Sequence, residues 1–160
     1  MNLELDWSDW TALEQFEEMG NVPYQQAGVY QIRVVAQGQP VPIPRWLGED
    51  ENGLLYIGCT KTSIGSRLSL FRDGIHRHTA GHTAGKKRYI LQRWIPAYEE
   101  KLGGLQREYR WVATQEEFAR KREEDVLQSY VATFGEAPPL NGSFAYRMEP
   151  ETWEERYGAT

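Results

Sequence analysis

Hydrophobic and polar positions change period several times along the chain, and each change marks an element. Ala27-Gly28-Val29-Tyr30-Gln31-Ile32-Arg33-Val34-Val35 is rich in β-branched residues and alternates, which predicts a strand with Tyr30, Ile32 and Val34 on one face. Leu54 to Cys59 alternates in the same way and predicts a second strand, with Tyr56 on the face opposite Leu55 and Ile57. Asn52-Gly53 is a strong turn signal, so the two strands are expected to pair antiparallel and to bring two phenols into one sheet. Leu105 to Thr114 alternates again and supplies a third strand.

Helical spacing covers the rest. Trp7, Trp10, Leu13 and Phe16 recur at every third position behind Ser8 and Asp9, which predicts an amphipathic helix and makes 1–25 a helical brace. Pro40, Pro42 and Pro44 forbid a central strand over 36–53 and favour an extended loop, read first as an unremarkable hairpin insertion and second as a loop whose tip, Arg45 and Trp46, could touch a ligand. Thr62 to Phe71 reads as a helix that Ser63 caps, with Ile64, Leu68 and Phe71 as its apolar stripe. Gly74, Gly81 and Gly85 mark a loop bearing histidines, and Lys86 to Leu102 reads as a helix that Pro96 kinks or ends. Thr114 is placed to cap a last helix from Gln115 to Phe134, with Ala119, Val126, Leu127, Tyr130 and Phe134 on one side and Gly135 as its stop. An acidic, weakly ordered tail is expected over 147–160. The fold expected for 26–146 is α/β (α+β): a small central three-stranded sheet, mixed or antiparallel, flanked by helices.

Composition narrows the partners. The 160 residues, 40% hydrophobic and 26% charged, suit one soluble domain. No apolar run is long enough to span a membrane and the first residues are acidic where a signal peptide is basic, so a cytoplasmic protein is expected. The lone Cys59 excludes an internal disulfide and a cysteine-rich zinc site, and reads as a strand residue rather than a nucleophile.

The net charge of −5 is unevenly spread. Residues 1–20 carry six acids and no base, whereas over 61–93 eight bases face only Asp73, a local charge of +7. His76, His78 and His82 lie there too. This segment is either a solvated helix face or a polyanion-binding face, in which Arg72, Arg77, Lys86, Lys87 and Arg88 would track a phosphate backbone.

Three positions carry chemistry beyond charge. Arg67 lies at the edge of an apolar stripe, where a guanidinium requires a partner or an anionic ligand. Glu123 falls in the middle of the stripe of the last helix, a place that calls for a metal or a cation, while Glu124 and Asp125 point to solvent. Tyr30 and Tyr56 taken alone are ordinary amphipathic core residues.

Taken together, Gly28-Val29-Tyr30, Tyr56-Ile57-Gly58, Arg67 with Leu68 and Phe71, Ala119-x-x-x-Glu123-x-x-Val126-Leu127 and Pro138-x-x-Asn141 resemble the GIY-YIG nuclease family over about residues 26–142. Val29 replaces the isoleucine of the first tripeptide, and the loop between the tripeptides is longer than usual. The family often has a His, Tyr or Lys one turn after the arginine; here that position is Phe71, and His82, then His76, are the preferred replacements, with His78 and Lys86 also in reach.

The resemblance implies a DNA endonuclease that hydrolyses phosphodiesters at a single-metal site. Glu123 would bind one Mg²⁺ or Mn²⁺, and Arg67 would hold the scissile phosphate. Tyr30 would orient or deprotonate the attacking water, its pKa lowered by nearby cations, with Tyr56 beside it and Asn141 bracing the site. The alternatives are a DNA-binding module without turnover, for which Phe71 speaks, and a protein-interaction domain acting through the proline-rich loop.

Overall fold

The computed structural model describes residues 5–15, 25–76, 81–94, 97, 100–101 and 104–142. Its centre is strand β2 (Gly28–Ala36), which the alternating pattern foretold and which is buried on both faces. Strands β6 (Leu54–Thr60) and β7 (Gln106–Ala113) pair antiparallel to its two sides. Two short strands complete the five-stranded sheet: β1 (Thr11–Ala12) against β7, and β3 (Gln39–Pro40) against the end of β2. Every pairing is antiparallel, so the mixed alternative falls away.

Beyond Pro40, which pairs only with the end of β2, the proline-rich stretch folds into a separate hairpin, β4 (Ile43–Arg45) with β5 (Gly48–Asp50), which keeps Pro44 off the central sheet. The Asn52-Gly53 turn forms as expected, with Gly53 at φ +65°. Buried Asp50 closes it by accepting from Asn52 N–H, Leu54 N–H and the Tyr130 hydroxyl, each at 2.9–3.0 Å.

Helices cover both faces. α1 (Ile64–His76) begins under a Ser63 cap, whose Oγ accepts the Ser66 N–H at 3.0 Å, and buries Ile64, Leu68, Phe71 and Ile75. α2 (Thr83–Trp94) starts three residues before the expected Lys86. It crosses α1 at Gly74 and Gly85, where a Cβ on Gly85 would lie 2.7 Å from the Phe71 carbonyl oxygen and 3.0 Å from Gly74 Cα. Both pack with Leu13 and Tyr109 against the face carrying Tyr30, Ile32 and Val34. α3 (Glu116–Phe134) covers the other face, where Tyr130 joins Val29, Leu54 and Ile57.

Three local expectations are corrected. Residues 11–15 are a two-residue strand and a 3-10 turn (Leu13–Gln15), not a helix. Ser8 exchanges hydrogen bonds with Trp111 at 2.8 and 3.0 Å, while Trp7 and Trp10 stack on the guanidiniums of Arg110 and Arg33. An open sheet edge and two cations outcompete a helix that had only its own spacing to support it. Thr114 does not cap α3, because the helix begins at Glu116 and the cap position falls to Gln115, which is extended and makes no side-chain cap bond; Gly135 ends the helix in the left-handed region. Tyr56 shares a face with Leu55, because a bulge opposite Ile32 and Arg33 admits an extra residue. Pro96, Tyr98, Arg77, His78 and the tail over 147–160 lie outside the described residues. Among the described residues no helix is long and apolar enough to cross a membrane.

Candidate active site

The two tyrosines come together because of strand register. Tyr30 lies opposite Gly58 and Ile32 opposite Tyr56, so the phenols are diagonal neighbours on one face with ring centroids 5.9 Å apart. Gly58 makes this possible: a Cβ there would lie 2.6 Å from Tyr56 Cε1 and 2.9 Å from each hydroxyl oxygen. Phe71 of α1 stacks on Tyr56 at 5.9 Å, and the His82 ring meets Phe71 edge-on at 5.1 Å and Tyr56 at 5.3 Å.

Among the described histidines, His82 is therefore the one that reaches the site. It stands just before α2, brought there by the glycine crossing, and is 1% exposed. His76, the second choice, is at the surface, 3.7 Å from Glu14, and belongs to the α1 terminus instead. Nδ1 of His82 accepts the Gly85 N–H at 3.4 Å, which leaves the proton of the neutral ring on Nε2 to donate to Tyr30 Oη at 2.8 Å. Burial, aided by the charge of Arg67, pushes the imidazole pKa down to about 3, so this ring is neutral.

The expected lowering of the Tyr30 pKa is corrected. Burial raises it well above 10 and neighbouring Tyr56 adds to that, while the Arg67 guanidinium, by charge and hydrogen bond, only opposes the rise. Tyr56 is raised too, by burial and then by Glu123, with Tyr30 and Arg67 pulling the other way. Half-buried Arg67 thus bears on both phenols.

Glu123 takes the predicted inward position, with its side chain 14% exposed against 43% for Glu124, which pairs with Arg120. Its Oε2 accepts the Cys59 thiol at 3.1 Å. Cys59 is the site neighbour that sequence reasoning missed; its place one residue beyond Gly58, on the pleat opposite that glycine, was the available signal. Burial and the Glu123 charge push the thiol up to about 12, so it remains a protonated donor and not a nucleophile. Burial likewise raises the Glu123 carboxyl, with Cys59 and Arg120 opposing.

Asn141 behaves as a brace: Oδ1 accepts the Ile57 N–H at 3.0 Å and Nδ2 donates to Ile57 O at 2.7 Å, extending the ladder beside the second tripeptide. Lys87 secures that segment by donating to Pro139 O at 2.9 Å and Asn141 O at 3.2 Å. Two of the bases assigned to a phosphate track are therefore engaged elsewhere: Lys87 is a clamp, and Arg88 is buried at 3% exposure. Lys86 stays half-exposed on α2, and Arg72 lies 3.4 Å from Asp73.

Among the described residues no three His, Cys, Asp or Glu side chains converge on one point, so a metal here would rest on Glu123 and draw its other ligands from water or substrate. The donor set suits a hard divalent ion, since the adjacent sulfur is held as a thiol. The chain matches no protein-family model, no curated protein and no solved structure.

Proposed function

We propose that the chain is a metal-dependent DNA endonuclease of the GIY-YIG type, working in the cytoplasm. One observation carries this: the phenols of Tyr30 and Tyr56 and the neutral ring of His82 pack together on one face of the sheet, the charge of Arg67 on α1 bears on both phenols, and that of the Glu123 carboxylate on α3 bears on Tyr56. Cleaving a phosphodiester is mainly a matter of positioning and of neutralising charge, which these groups supply.

Arg67 binds the phosphate and offsets the charge that grows on its oxygens. Glu123 would hold one Mg²⁺ or Mn²⁺, which when bound neutralises charge at the phosphate. Cys59 holds the carboxylate through its thiol. The Tyr30 oxygen receives the His82 Nε2–H, which leaves the phenol's own proton free to donate and supports the phenolate when that proton departs. Asn141 holds the strand that carries Tyr56.

A DNA-binding module without turnover is the second reading, favoured by the complete burial of Tyr30, because water reaches the phenol only if the surrounding aromatic rings part. Supercoiled plasmid incubated with the protein and Mg²⁺, or with chelator, separates the two. Nicked or linear product with Mg²⁺ alone supports the nuclease, and Glu123→Gln should then lower the rate by about 10²-fold or more while Glu124→Gln leaves it nearly unchanged. Metal-independent binding without conversion supports the module, and neither binding nor cleavage sinks both.

A further inference from the structure

We propose that Arg120 is an exchangeable counter-ion of Glu123, occupying the cation's place beside the carboxylate until a divalent metal displaces it. This role rests on Glu123 being the metal ligand.

Glu123 is largely withdrawn from water, a position that disfavours a bare carboxylate. Two groups compensate it. One comes from Cys59 and is fixed to β6, the thiol at 3.1 Å. The other is different in kind: Arg120, one turn earlier on α3, places Nη1 3.8 Å from Glu123 Oε2. Its side chain is 61% exposed and free to swing on a long stem.

Arg120 also has somewhere to go, because its Nε already lies 3.3 Å from Glu124 Oε1. A guanidinium shared between two successive carboxylates gives up the inner one at small cost while keeping the outer. The arrangement also assigns a use to the Glu-Glu pair: the inner carboxylate takes the metal and the outer one receives the arginine. Until then the latch keeps the buried site neutralised.

Two unit charges about 4 Å apart near a wet surface are coupled strongly enough to shift a binding constant by roughly five-fold or more, so removing Arg120 should tighten metal binding. The test is calorimetric titration of the full chain with Mn²⁺, comparing wild type with Arg120→Gln, Lys121→Gln and Glu123→Gln. Lys121 is the charge-matched control, paired with Asp125 at 2.9 Å on the same helix. Arg120→Gln should lower the Kd about five-fold, Lys121→Gln should change it by less than about two-fold, and Glu123→Gln should not bind.

Equal Kd values for wild type and Arg120→Gln overturn the exchange while leaving Glu123 as the ligand. Equal tightening by Arg120→Gln and Lys121→Gln also overturns it, since net charge alone then explains the gain. Binding by Arg120→Gln but not by wild type supports it in its strongest form. If neither binds while circular dichroism shows both folded, the metal assignment fails and takes the exchange with it.

Discussion

Tyr30 Oη and His82 Nε2 lie 2.8 Å apart although 52 residues separate them in the chain. The bond joins the first tyrosine of the sheet to the residue that opens α2, and it exists because Gly74 and Gly85 let α1 and α2 touch backbone to backbone. His82 thereby stands against Phe71, filling in space the position that Phe71 leaves without a polar group.

Because the folded-state pKa of His82 is depressed to about 3 and its unfolded value is near 6.5, the unfolded chain binds a proton between these values that the folded chain does not. Stability should fall as pH drops from about 6.5 towards 3, by up to about 1.4 kcal/mol per pH unit from this group alone. Denaturant titrations of wild type and His82→Gln at several pH values check this, and an equally steep fall in the variant would rule His82 out as the source. Cleavage, by contrast, should show no inflection near pH 6.5. Its rate at saturating metal should still be rising at pH 9, since burial holds the Tyr30 phenol above 10, and Tyr30→Phe should abolish that rise.

The tripeptide glycines should fail in different ways. A Cβ on Gly28 would strike the Val112 carbonyl oxygen across the β2–β7 ladder, which cannot move without breaking the sheet. The atoms nearest a Cβ on Gly58 are side-chain ends of Tyr56 and Tyr30, which would have to shift within their aromatic cluster without breaking a backbone ladder. Gly28→Ala should therefore lower stability by about 1–3 kcal/mol, whereas Gly58→Ala should melt closer to wild type yet lose cleavage. Thermal unfolding and plasmid nicking measured on the same preparations distinguish the pair, and a Gly58→Ala protein with normal nicking would show that the tyrosine pair is not needed.

The lysines of α2 should also separate. Lys87→Met removes two hydrogen bonds to the segment that carries Asn141, and should cost about 1–3 kcal/mol of stability while leaving the salt dependence of DNA binding unchanged. Lys86→Gln should do the reverse, reducing that dependence by about one ion equivalent. If Lys87→Met flattens the salt dependence and melts normally, its ammonium meets phosphate rather than the Pro139 and Asn141 carbonyls.

What the chain's own pattern determined is everything that depends on which face of an element is buried. The alternation around Tyr30, the stripe of α1 and the inward place of Glu123 on α3 follow from local periodicity, since burial on one face imposes a period of about 2 or 3.6 whatever lies opposite, whereas the bulge that sets Tyr56 on the face of Leu55 does not. The tertiary structure decided what each buried face meets. The tryptophan spacing of the first residues, helical on its own terms, was overruled by a free strand edge at β7 and by Arg33 and Arg110. Selecting His82 over His76 took a glycine contact between two helices, and pairing Cys59 with Glu123 took the packing of α3 on β6, 64 residues apart in sequence. Lys87 and Arg88 look like any other bases in a positive segment until the fold turns one onto carbonyl oxygens and buries the other. Period is a property of neighbours in the chain, whereas a partner is chosen by long-range packing, where backbone groups and charges left without water must be satisfied by whatever the fold brings within reach.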